Sequence, residues 1–272
     1  MIGVTLPNED LVTVARRIRR AVVEMSARAG VAHVASALSC VDILVALYFR
    51  VAQTAPEPAL APDRDRIILS KGHASAALYA CLAERGFIAK SLLATFAADG
   101  SVLGEHPTYN AVPGVEATTG SLGHGLGIGA GLAFAARLDR KSWRVFVVLS
   151  DGECNEGSVW EAAQWAPVHD LSNLCAIVDF NGWQATGRST EITRLEPLAD
   201  KWRAFGWDVS EIDGHDLELL AGTLSRQTSK PHVVVAHTIK GKGVSFMEND
   251  LEWHYRPPSR DDLARALAEL SA

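Results

Sequence analysis

The sequence predicts an α/β protein with a mostly parallel central sheet and helices on both of its faces. Two short apolar segments rich in β-branched residues, 145–149 and 174–178, are typical of buried parallel strands. Residues 156–168 between them have a helical composition, so the three segments form a βαβ unit. Upstream of this unit, a glycine-rich stretch at 120–127 runs directly into a plausible helix at 128–136.

The first predicted element is an amphipathic helix close to the N-terminus. Its apolar positions recur at helical spacing, at Leu11, Val14, Ile18, Val22 and Met25. We expect the solvated or subunit-facing side to carry Arg16, Arg17, Arg19 and Arg20. Acidic Glu9 and Asp10 precede the helix and no apolar segment does, which argues against a targeting sequence.

The composition excludes several classes of protein. The chain has 272 residues, 48% of them hydrophobic, and no linker or repeat divides it, so we expect a single domain over residues 1–272. Its net charge of −6 argues against nucleic-acid binding. No apolar run approaches the roughly 18 residues that a membrane helix needs. The four cysteines form no CxxC pair, so we expect reduced thiols in a cytoplasmic protein, without a zinc site or a disulfide framework.

Polar residues follow both predicted strands of the βαβ unit. Asp151 comes just after the first strand and Asn181 just after the second. In open α/β sheets ligands bind at the carboxyl ends of the strands, and oxygen ligands of this kind suit a Mg²⁺ that also touches a phosphate. The alternative is two ordinary loops between a strand and a helix, where such residues are common.

The glycine-rich stretch that precedes the helix at 128–136 favours a phosphate site. Glycines at 120, 123, 125 and 127 let the backbone approach a ligand closely, and a helix N-terminus attracts a diphosphate. The spacing is not GxGxxG, which disfavours a Rossmann dinucleotide site. Alternatively, the glycines allow the helix to pack tightly against a neighbour.

Five short motifs occur in the same order as in the transketolase family. They are Ser70-Lys71-Gly72-His73-Ala74-Ser75, Glu105-His106-Pro107, Thr119-Gly120-Ser121-Leu122-Gly123-His124-Gly125, Asp151-Gly152-Glu153-Cys154-Asn155-Glu156-Gly157 and Asp179-Phe180-Asn181-Gly182. From about residue 10 to its end, the chain resembles the N-terminal, diphosphate-binding half of transketolases. The resemblance implies the thiamine diphosphate-binding fold.

The resemblance also implies a cofactor site. The family binds thiamine diphosphate through Mg²⁺, for which Ca²⁺ or Mn²⁺ can substitute. The positions matching its metal ligands are Asp151, Asn181 and the carbonyl of Trp183. Further positions matching cofactor contacts are His73, Gly120, Ser121, Leu122, Gly152, Glu153, Lys240 and His254. For Lys240 the alternative is a solvated cation in a loop.

Imidazole suits the proton transfers of ketol transfer because its ordinary pKa lies near neutrality. The family places histidines around the reacting carbon, and the matching positions here are His33, His73, His106 and His254. The resemblance assigns substrate contacts to His33, Ser36 and His254. Any one of these histidines alone would more commonly be structural, which is also the interpretation of His169, His215 and His232.

The chain departs from the family pattern at four positions. Val31 and Ala32 precede His33 where the family has Ser-Gly, and Glu105 precedes His106 where glycine is usual. These changes leave the fit of the donor sugar open. Ser150 replaces the first glycine of Gly-Asp-Gly, which we expect to be tolerated if its backbone is not in a conformation reserved for glycine.

The resemblance implies a partner as well. Glutamates of the family that match Glu156 and Glu161 lie at the subunit interface and link two cofactor sites, although an acid near a helix N-terminus is also favoured by the dipole. The family's pyrimidine-binding domain, which carries the catalytic glutamate, and its C-terminal domain have no counterpart here. We expect a last helix capped by Ser259 at a natural end, and hence an N-terminal subunit that works with a separate C-terminal subunit, in an α₂β₂ heterotetramer. The alternative is a fragment of a longer protein.

The implied reaction transfers a two-carbon ketol unit from a ketose, or ketose phosphate, to an aldose. Two alternatives within thiamine diphosphate chemistry are the α subunit of a 2-oxo acid dehydrogenase E1 and a deoxyxylulose-phosphate synthase-like protein. A third is a non-catalytic homologue that binds a partner.

Overall fold

The computed structural model describes residues 10–59 and 61–271, so Glu9 lies outside the described part of the chain. Its centre is a sheet of five strands in the order β1-β2-β3-β5-β4. The strands are β1 (Arg66–Leu69), β2 (Val145–Ser150), β3 (Leu174–Phe180), β4 (Asp208–Asp213) and β5 (His232–His237). Every neighbouring pair is parallel, which confirms the predicted fold class.

Ten α-helices surround this sheet in the described residues. They are α1 (Leu11–Ala29), α2 (Val34–Ser39), α3 (Val41–Ala46), α4 (Ser75–Arg85), α5 (Gly125–Leu138), α6 (Gly157–Val168), α7 (Ser189–Ile192), α8 (Leu198–Ala204), α9 (Leu217–Leu224) and α10 (Arg260–Glu269). Short 3₁₀ turns lie at Gly72–Ala74, Lys90–Thr95, Gly152–Asn155 and Leu251–His254, and a π-helical turn at Leu47–Val51.

The sheet has a hydrophobic core on each face because successive side chains of a strand point to opposite sides. In β2, Phe146 and Val148 belong to the core shared with α1, α3, α4 and α9. Val145, Val147 and Leu149 belong to the core shared with α5, α6 and α8. Both faces of β2 are therefore covered, which explains why the strand is uniformly apolar.

Helix α1 confirms the predicted apolar face, whose five residues are all buried. Asp10 caps its start by accepting from the backbone amides of Val12 and Thr13, and Gly30 ends it in the left-handed conformation. The predicted arginine side is wrong at Arg19, which is buried and forms an ion pair with Asp42. At the other end of the chain, Ser259 caps α10 through a reciprocal capping box with Asp262.

The topology brings the carboxyl ends of β1, β2, β3 and β5 together, and we call this side of the molecule the carboxyl edge. The segments that directly follow these four strands in the sequence meet there.

The four cysteines are buried free thiols. Within residues 10–59 and 61–271, none of the helices is both long and apolar enough to cross a membrane.

Candidate active site

Strands β2 and β3 place two aspartates side by side at the carboxyl edge. Ser150 pairs with Asp179 at the end of the ladder, and the amide of Asp151 donates to the carbonyl of Asp179 over 3.3 Å. Both side chains are fully buried. The loop after β3 turns back immediately, and Gly182 occupies its left-handed position with a φ of +77°.

The carboxylate of Asp151 has one satisfied and one unsatisfied oxygen. Oδ2 accepts from the amide of Gly182 over 3.0 Å and from the hydroxyl of Ser189 over 2.7 Å. Oδ1 is buried and has no hydrogen-bond partner. Burial raises the pKa of Asp151 to about 6, against the opposing effect of the Ser189 hydrogen bond. An unpartnered oxygen in this environment suits a cation, which would favour the ionised form.

Asn181 completes an oxygen-rich corner beside Asp151. Its Oδ1 accepts from the amide of Trp183 over 3.1 Å, and its Nδ2 lies 3.4 Å from both Ser39 Oγ and Asp179 Oδ2. The described residues contain no group of three or more His, Cys, Asp or Glu side chains able to hold a metal. A metal here would therefore need the mixed set of a carboxylate, an amide oxygen and a backbone carbonyl, which suits a hard divalent cation.

Asp179 belongs to a buried polar network that the sequence analysis missed. Lys71 Nζ lies 2.5 Å from Asp179 Oδ2 and also donates to the carbonyl of Ser36 over 2.9 Å. Ser39 donates to the same carboxylate oxygen over 2.6 Å, and Thr238 donates to the other. Burial alone would raise the pKa of Asp179, but the charge of Lys71 and the hydrogen bonds from Lys71, Ser39 and Thr238 together hold that pKa below its ordinary value.

The glycine-rich stretch forms a close-packed turn at 120–124 and the first residues of α5, which begins at Gly125 and not at the predicted residue 128. A Cβ on Gly72 would stand 2.6 Å from the backbone nitrogen of Gly120, and a Cβ on Gly120 would stand 2.6 Å from the ring of His106. Only glycine allows these backbones to meet. Ser121 is exposed and Leu122 is half-buried in the same turn. The packing alternative also holds, since a Cβ on Gly129 would stand 2.4 Å from a methyl carbon of Val147.

Glu153 supports this turn from inside the protein. Its carboxylate is buried and accepts from the hydroxyl of Ser70, from the amide of Gly123 over 2.9 Å and from the amide of Ser150 over 3.2 Å. These bonds occupy both oxygens of the Glu153 carboxylate. The cofactor contact predicted for Glu153 stays a prediction. The backbone of Ser150 is not in the left-handed conformation, which is the condition under which serine was expected to replace the family's glycine at this position.

The structure brings the four predicted histidines together beside the carboxyl edge, and we call His33, His73, His106 and His254 the histidine cluster. The ring centroid of His33 lies 5.2 Å from that of His73 and 5.0 Å from that of His254. His106 packs against Gly120, and the amide of His33 donates to the carbonyl of His254 over 2.8 Å.

Three members of the histidine cluster, His33, His73 and His254, have lowered pKa values and are therefore neutral at pH 7. Burial, followed by the charge of neighbouring His106, lowers the pKa of His33 to about 4. Burial, followed by the charge of Lys240, lowers the pKa of His254 to about 3, and burial also holds the pKa of His73 well below its ordinary value. Neutral imidazoles can both accept and donate protons, and Nδ1 of His33 is buried without a partner.

Lys240 extends the histidine cluster towards Asp151. Its side chain is fully buried, so the alternative of a solvated loop cation is wrong. Nζ lies 2.8 Å from His254 Nδ1 and 3.5 Å from the carbonyl of Gln184. Burial, together with the charge of Lys71, lowers the pKa of Lys240 to about 8.

Two more residues at this site escaped sequence reasoning. Tyr255 is 62% exposed, and its ring centroid lies 4.7 Å from that of His254 and 5.7 Å from that of His33. Its position directly after His254 was the available signal. Gln184 has a buried Nε2 without a partner, and its Cγ would lie 3.0 Å from a Cβ on Gly152. Nothing in the local sequence marked it.

The remaining predicted residues are more peripheral. Ser36 is buried, and Glu105 is exposed while its carbonyl accepts from Ser75 Oγ over 2.6 Å. Trp183 stacks beneath the guanidinium of Arg188, which stands 3.8 Å from the ring centroid. Glu156 and Glu161 are both exposed, at the start and within the second turn of α6, and Glu156 makes no side-chain capping bond.

Residues 11–271 match the family model described as the transketolase thiamine diphosphate-binding domain. The chain is 40% identical over 266 residues to one subunit of the apulose-4-phosphate transketolase of Phocaeicola vulgatus, covering 97% of this chain and 94% of that protein. It is also 40% identical over 264 residues to a 6-deoxy-6-sulfo-D-fructose transketolase subunit of a Clostridium species, covering 96% of each.

Among solved structures, transketolase from Leishmania mexicana superposes with a TM-score of 0.90 at 28% identity, covering 97% of this chain and 41% of that one. This chain thus spans about two fifths of the length of the solved transketolase, but nearly the whole length of the two relatives that are named as subunits of a transketolase.

Proposed function

The chain belongs to the transketolase family, and on that premise we propose that it is the diphosphate-binding subunit of a two-chain, thiamine diphosphate-dependent transketolase. The enzyme transfers a two-carbon ketol unit from a ketose or ketose phosphate to an aldose. The observation that carries this proposal is the convergence of the histidine cluster on the edge that holds Asp151. Neither group alone would distinguish this chemistry from other uses of the fold.

The cofactor side of the proposal rests on Asp151. Its unpartnered Oδ1, with Asn181 and the carbonyl of Trp183, would hold Mg²⁺, Ca²⁺ or Mn²⁺. The glycine turn, His73 and Lys240 would contact the cofactor, and the start of α5 favours its negative charge. When bound, thiamine diphosphate supplies a carbanionic ring carbon that adds to a ketone.

The substrate side rests on the neutral imidazoles. His33, Ser36 and His254 would bind the hydroxyl groups of the ketose, and the histidine cluster would give and take their protons. The lowered pKa of His33 keeps it able to accept a proton at neutral pH. Tyr255 lies at the exposed side of these rings, where an incoming sugar would pass it.

The proposal of a partner subunit rests on exposed residues of this chain and on the relatives that are named as transketolase subunits. We propose that residues 1–272 form one domain and that a separate C-terminal subunit supplies the pyrimidine-binding domain and the catalytic glutamate, in a cytoplasmic α₂β₂ heterotetramer. The relatives named as individual transketolase subunits support this division. Exposed Glu161 lies one turn before exposed Trp165 on α6, and further exposed apolar side chains of α5 and α6 are Ile128, Leu138 and Val168. Obligate interfaces commonly bury more than about 2,000 Å² of such surface.

The test is isothermal titration of thiamine diphosphate with Mg²⁺ into this chain alone and into its mixture with a candidate C-terminal subunit. We expect tight binding in the mixture and weak or no binding to the chain alone. Absence of binding in both would contradict the enzymatic proposal and favour a non-catalytic homologue. A mixture that binds is then supplied with ketose phosphates or pyruvate, and turnover of pyruvate alone would favour the E1-like or synthase-like alternative.

A further inference from the structure

A buried polar chain runs from α1 to the loop that carries Lys240, which we call the lysine loop (residues 238–243). Arg19 on α1 makes two parallel bonds to Asp42 on α3, with Nη1 3.0 Å from Oδ1 and Nη2 2.6 Å from Oδ2. Asp42 Oδ2 also lies 2.7 Å from Nδ1 of His215, which follows β4. Each member is mostly buried, so these bonds form away from water.

The two ring nitrogens of His215 have different and fixed roles. The amide of Ile239 reaches Nε2 over 2.8 Å, and because an amide can only donate, Nε2 must be unprotonated. Nδ1 then carries the proton and donates it to the Asp42 carboxylate. The bond to Asp42 thus selects one neutral tautomer, and that tautomer supplies the acceptor for Ile239.

The residue after Ile239 is Lys240, whose position depends on the conformation of the lysine loop. The amide of Gly241 donates to the carbonyl of Ala35 over 3.0 Å, and the carbonyl of Lys242 accepts from Arg19 Nε over 3.1 Å. These bonds hold the loop after Lys240, whereas His215 holds it directly before. The span between them is what directs Nζ to His254, 2.8 Å away.

We propose that His215 is a positioning residue that holds Lys240 against His254 through the amide of Ile239, with Asp42 fixing its tautomer and Arg19 fixing Asp42. His215 lies outside every motif that predicted the site, and it touches neither the histidine cluster nor Asp151. The effect on cofactor affinity rests on the function proposed above, whereas the effect on the lysine loop does not.

The test compares His215→Gln with His215→Asn in the full-length chain. A glutamine side chain is long enough to place an oxygen near the position of Nε2 and accept from Ile239. An asparagine can still donate to Asp42 but is too short to reach that amide. His232→Asn is a matched control, because His232 is also buried and bonds to Ser210 Oγ over 3.0 Å far from the lysine loop.

The first measurement is amide hydrogen exchange on the chain without cofactor. Loss of one hydrogen bond predicts about tenfold faster exchange at residues 239–241 in His215→Asn. We expect wild-type rates there in His215→Gln and His232→Asn, and unchanged rates in β3 in all variants. Equal acceleration in the Gln and Asn variants would overturn the proposal, as would an Nε2-protonated tautomer of His215 in ¹⁵N spectra of the wild type.

The second measurement is the dissociation constant of thiamine diphosphate with Mg²⁺ for each variant mixed with the C-terminal subunit. We expect a fivefold to tenfold increase for His215→Asn and less than a twofold change for the other two variants. An unchanged constant in His215→Asn would overturn the link to the cofactor site. If the wild-type mixture itself binds no cofactor, the proposed function fails, and the exchange rates still decide whether His215 positions the lysine loop.

Discussion

Asp151 and Asp179 occupy neighbouring places at the carboxyl edge and have opposite surroundings. Each lies at the carboxyl end of a central strand, and each is fully buried. Asp179 is bonded to Lys71, Ser39 and Thr238, and its pKa lies below the ordinary value. Asp151 has a free oxygen and a pKa raised to about 6. The two side chains are equally buried, so the neighbouring charges and hydrogen-bond donors account for the difference between their pKa values.

The comparison separates a structural carboxylate from an available one. A buried charge that is fully paired holds the strand ends together and offers nothing to a ligand. A buried charge that lacks a partner costs free energy until a proton or a cation neutralises it. The carboxyl edge thus holds one aspartate whose carboxylate is paired and one that has an oxygen without a partner.

Breaking the Lys71–Asp179 pair should give the largest effect on stability. Lys71→Met would leave Asp179 buried without its cation, which costs about 3–5 kcal/mol in comparable buried pairs. Urea unfolding at pH 7 measures the loss. The double variant Lys71→Met with Asp179→Asn should recover part of it, because no isolated charge remains. A single-variant loss below about 1 kcal/mol would mean that Asp179 does not depend on Lys71.

Removing the Asp151 carboxylate should act on ligand binding and leave the fold intact. Asp151→Ala should weaken Mg²⁺-dependent binding of thiamine diphosphate by at least about 100-fold. Substitution of a residue that only supports a metal ligand already lowers metal affinity by about 10- to 100-fold. Its stability without ligands should change little, because removal of an unsatisfied buried charge offsets the loss of the bonds from Gly182 and Ser189. Titration calorimetry and urea unfolding test both halves. Undiminished affinity would count against the site.

The raised pKa of Asp151 predicts a distinct pH dependence. The folded value of about 6 exceeds the ordinary pKa of 3.8, so the folded state binds a proton more readily between these limits. Relative to Asp151→Asn, the wild type should gain about 2 kcal/mol of stability as the pH falls from 6 to 4, without divalent cations. Unfolding at pH 7, 6, 5 and 4 measures this difference. A constant difference would show that the pKa is not raised.

The smallest effects should come from removing one hydroxyl donor from each aspartate. Ser189→Ala deletes the 2.7 Å bond to Asp151, and Thr238→Val deletes the hydroxyl that donates to Asp179. A bond to a charged group contributes about 1.5–3 kcal/mol, and we expect the lower end of this range because each carboxylate keeps its other bonds. We expect Ser189→Ala to raise the pKa of Asp151 further and to weaken cofactor binding, and Thr238→Val mainly to lower stability. Urea unfolding and titration calorimetry on both variants measure this, and the reverse pattern would invalidate the division between the two aspartates.

Sequence reasoning found part of the sheet. Strands β2 and β3 are continuous apolar runs, so both were predicted with the helix between them. β1 has only four residues, and β4, at the edge of the sheet, has only two apolar residues among its six, so neither was predicted. β5 contains an apolar run at 233–236 between two histidines, a shorter form of the signal that marks β2, and it was missed.

Sequence reasoning likewise found some residues of the candidate site and missed the long-range contacts between others. Short motifs identified Asp151, Asn181 and the histidine cluster because each motif carries its turn and its side chain within a few residues. Lys71 and Asp179 are 108 positions apart, and Asp42 and His215 are 173 apart, so no local pattern pairs them. Lys240 was recognised from its motif, but its burial against His254 was not.

The sequence by itself determined the fold class, the family and the residue types gathered at the carboxyl edge. These follow from local regularities, namely the periodicity of apolar residues, glycines at turns and motifs in a fixed order. The tertiary structure alone decided which of two buried aspartates is neutralised and which is left open. A charge inside a protein takes its properties from neighbours that distant parts of the chain supply, and only the folded chain assembles them.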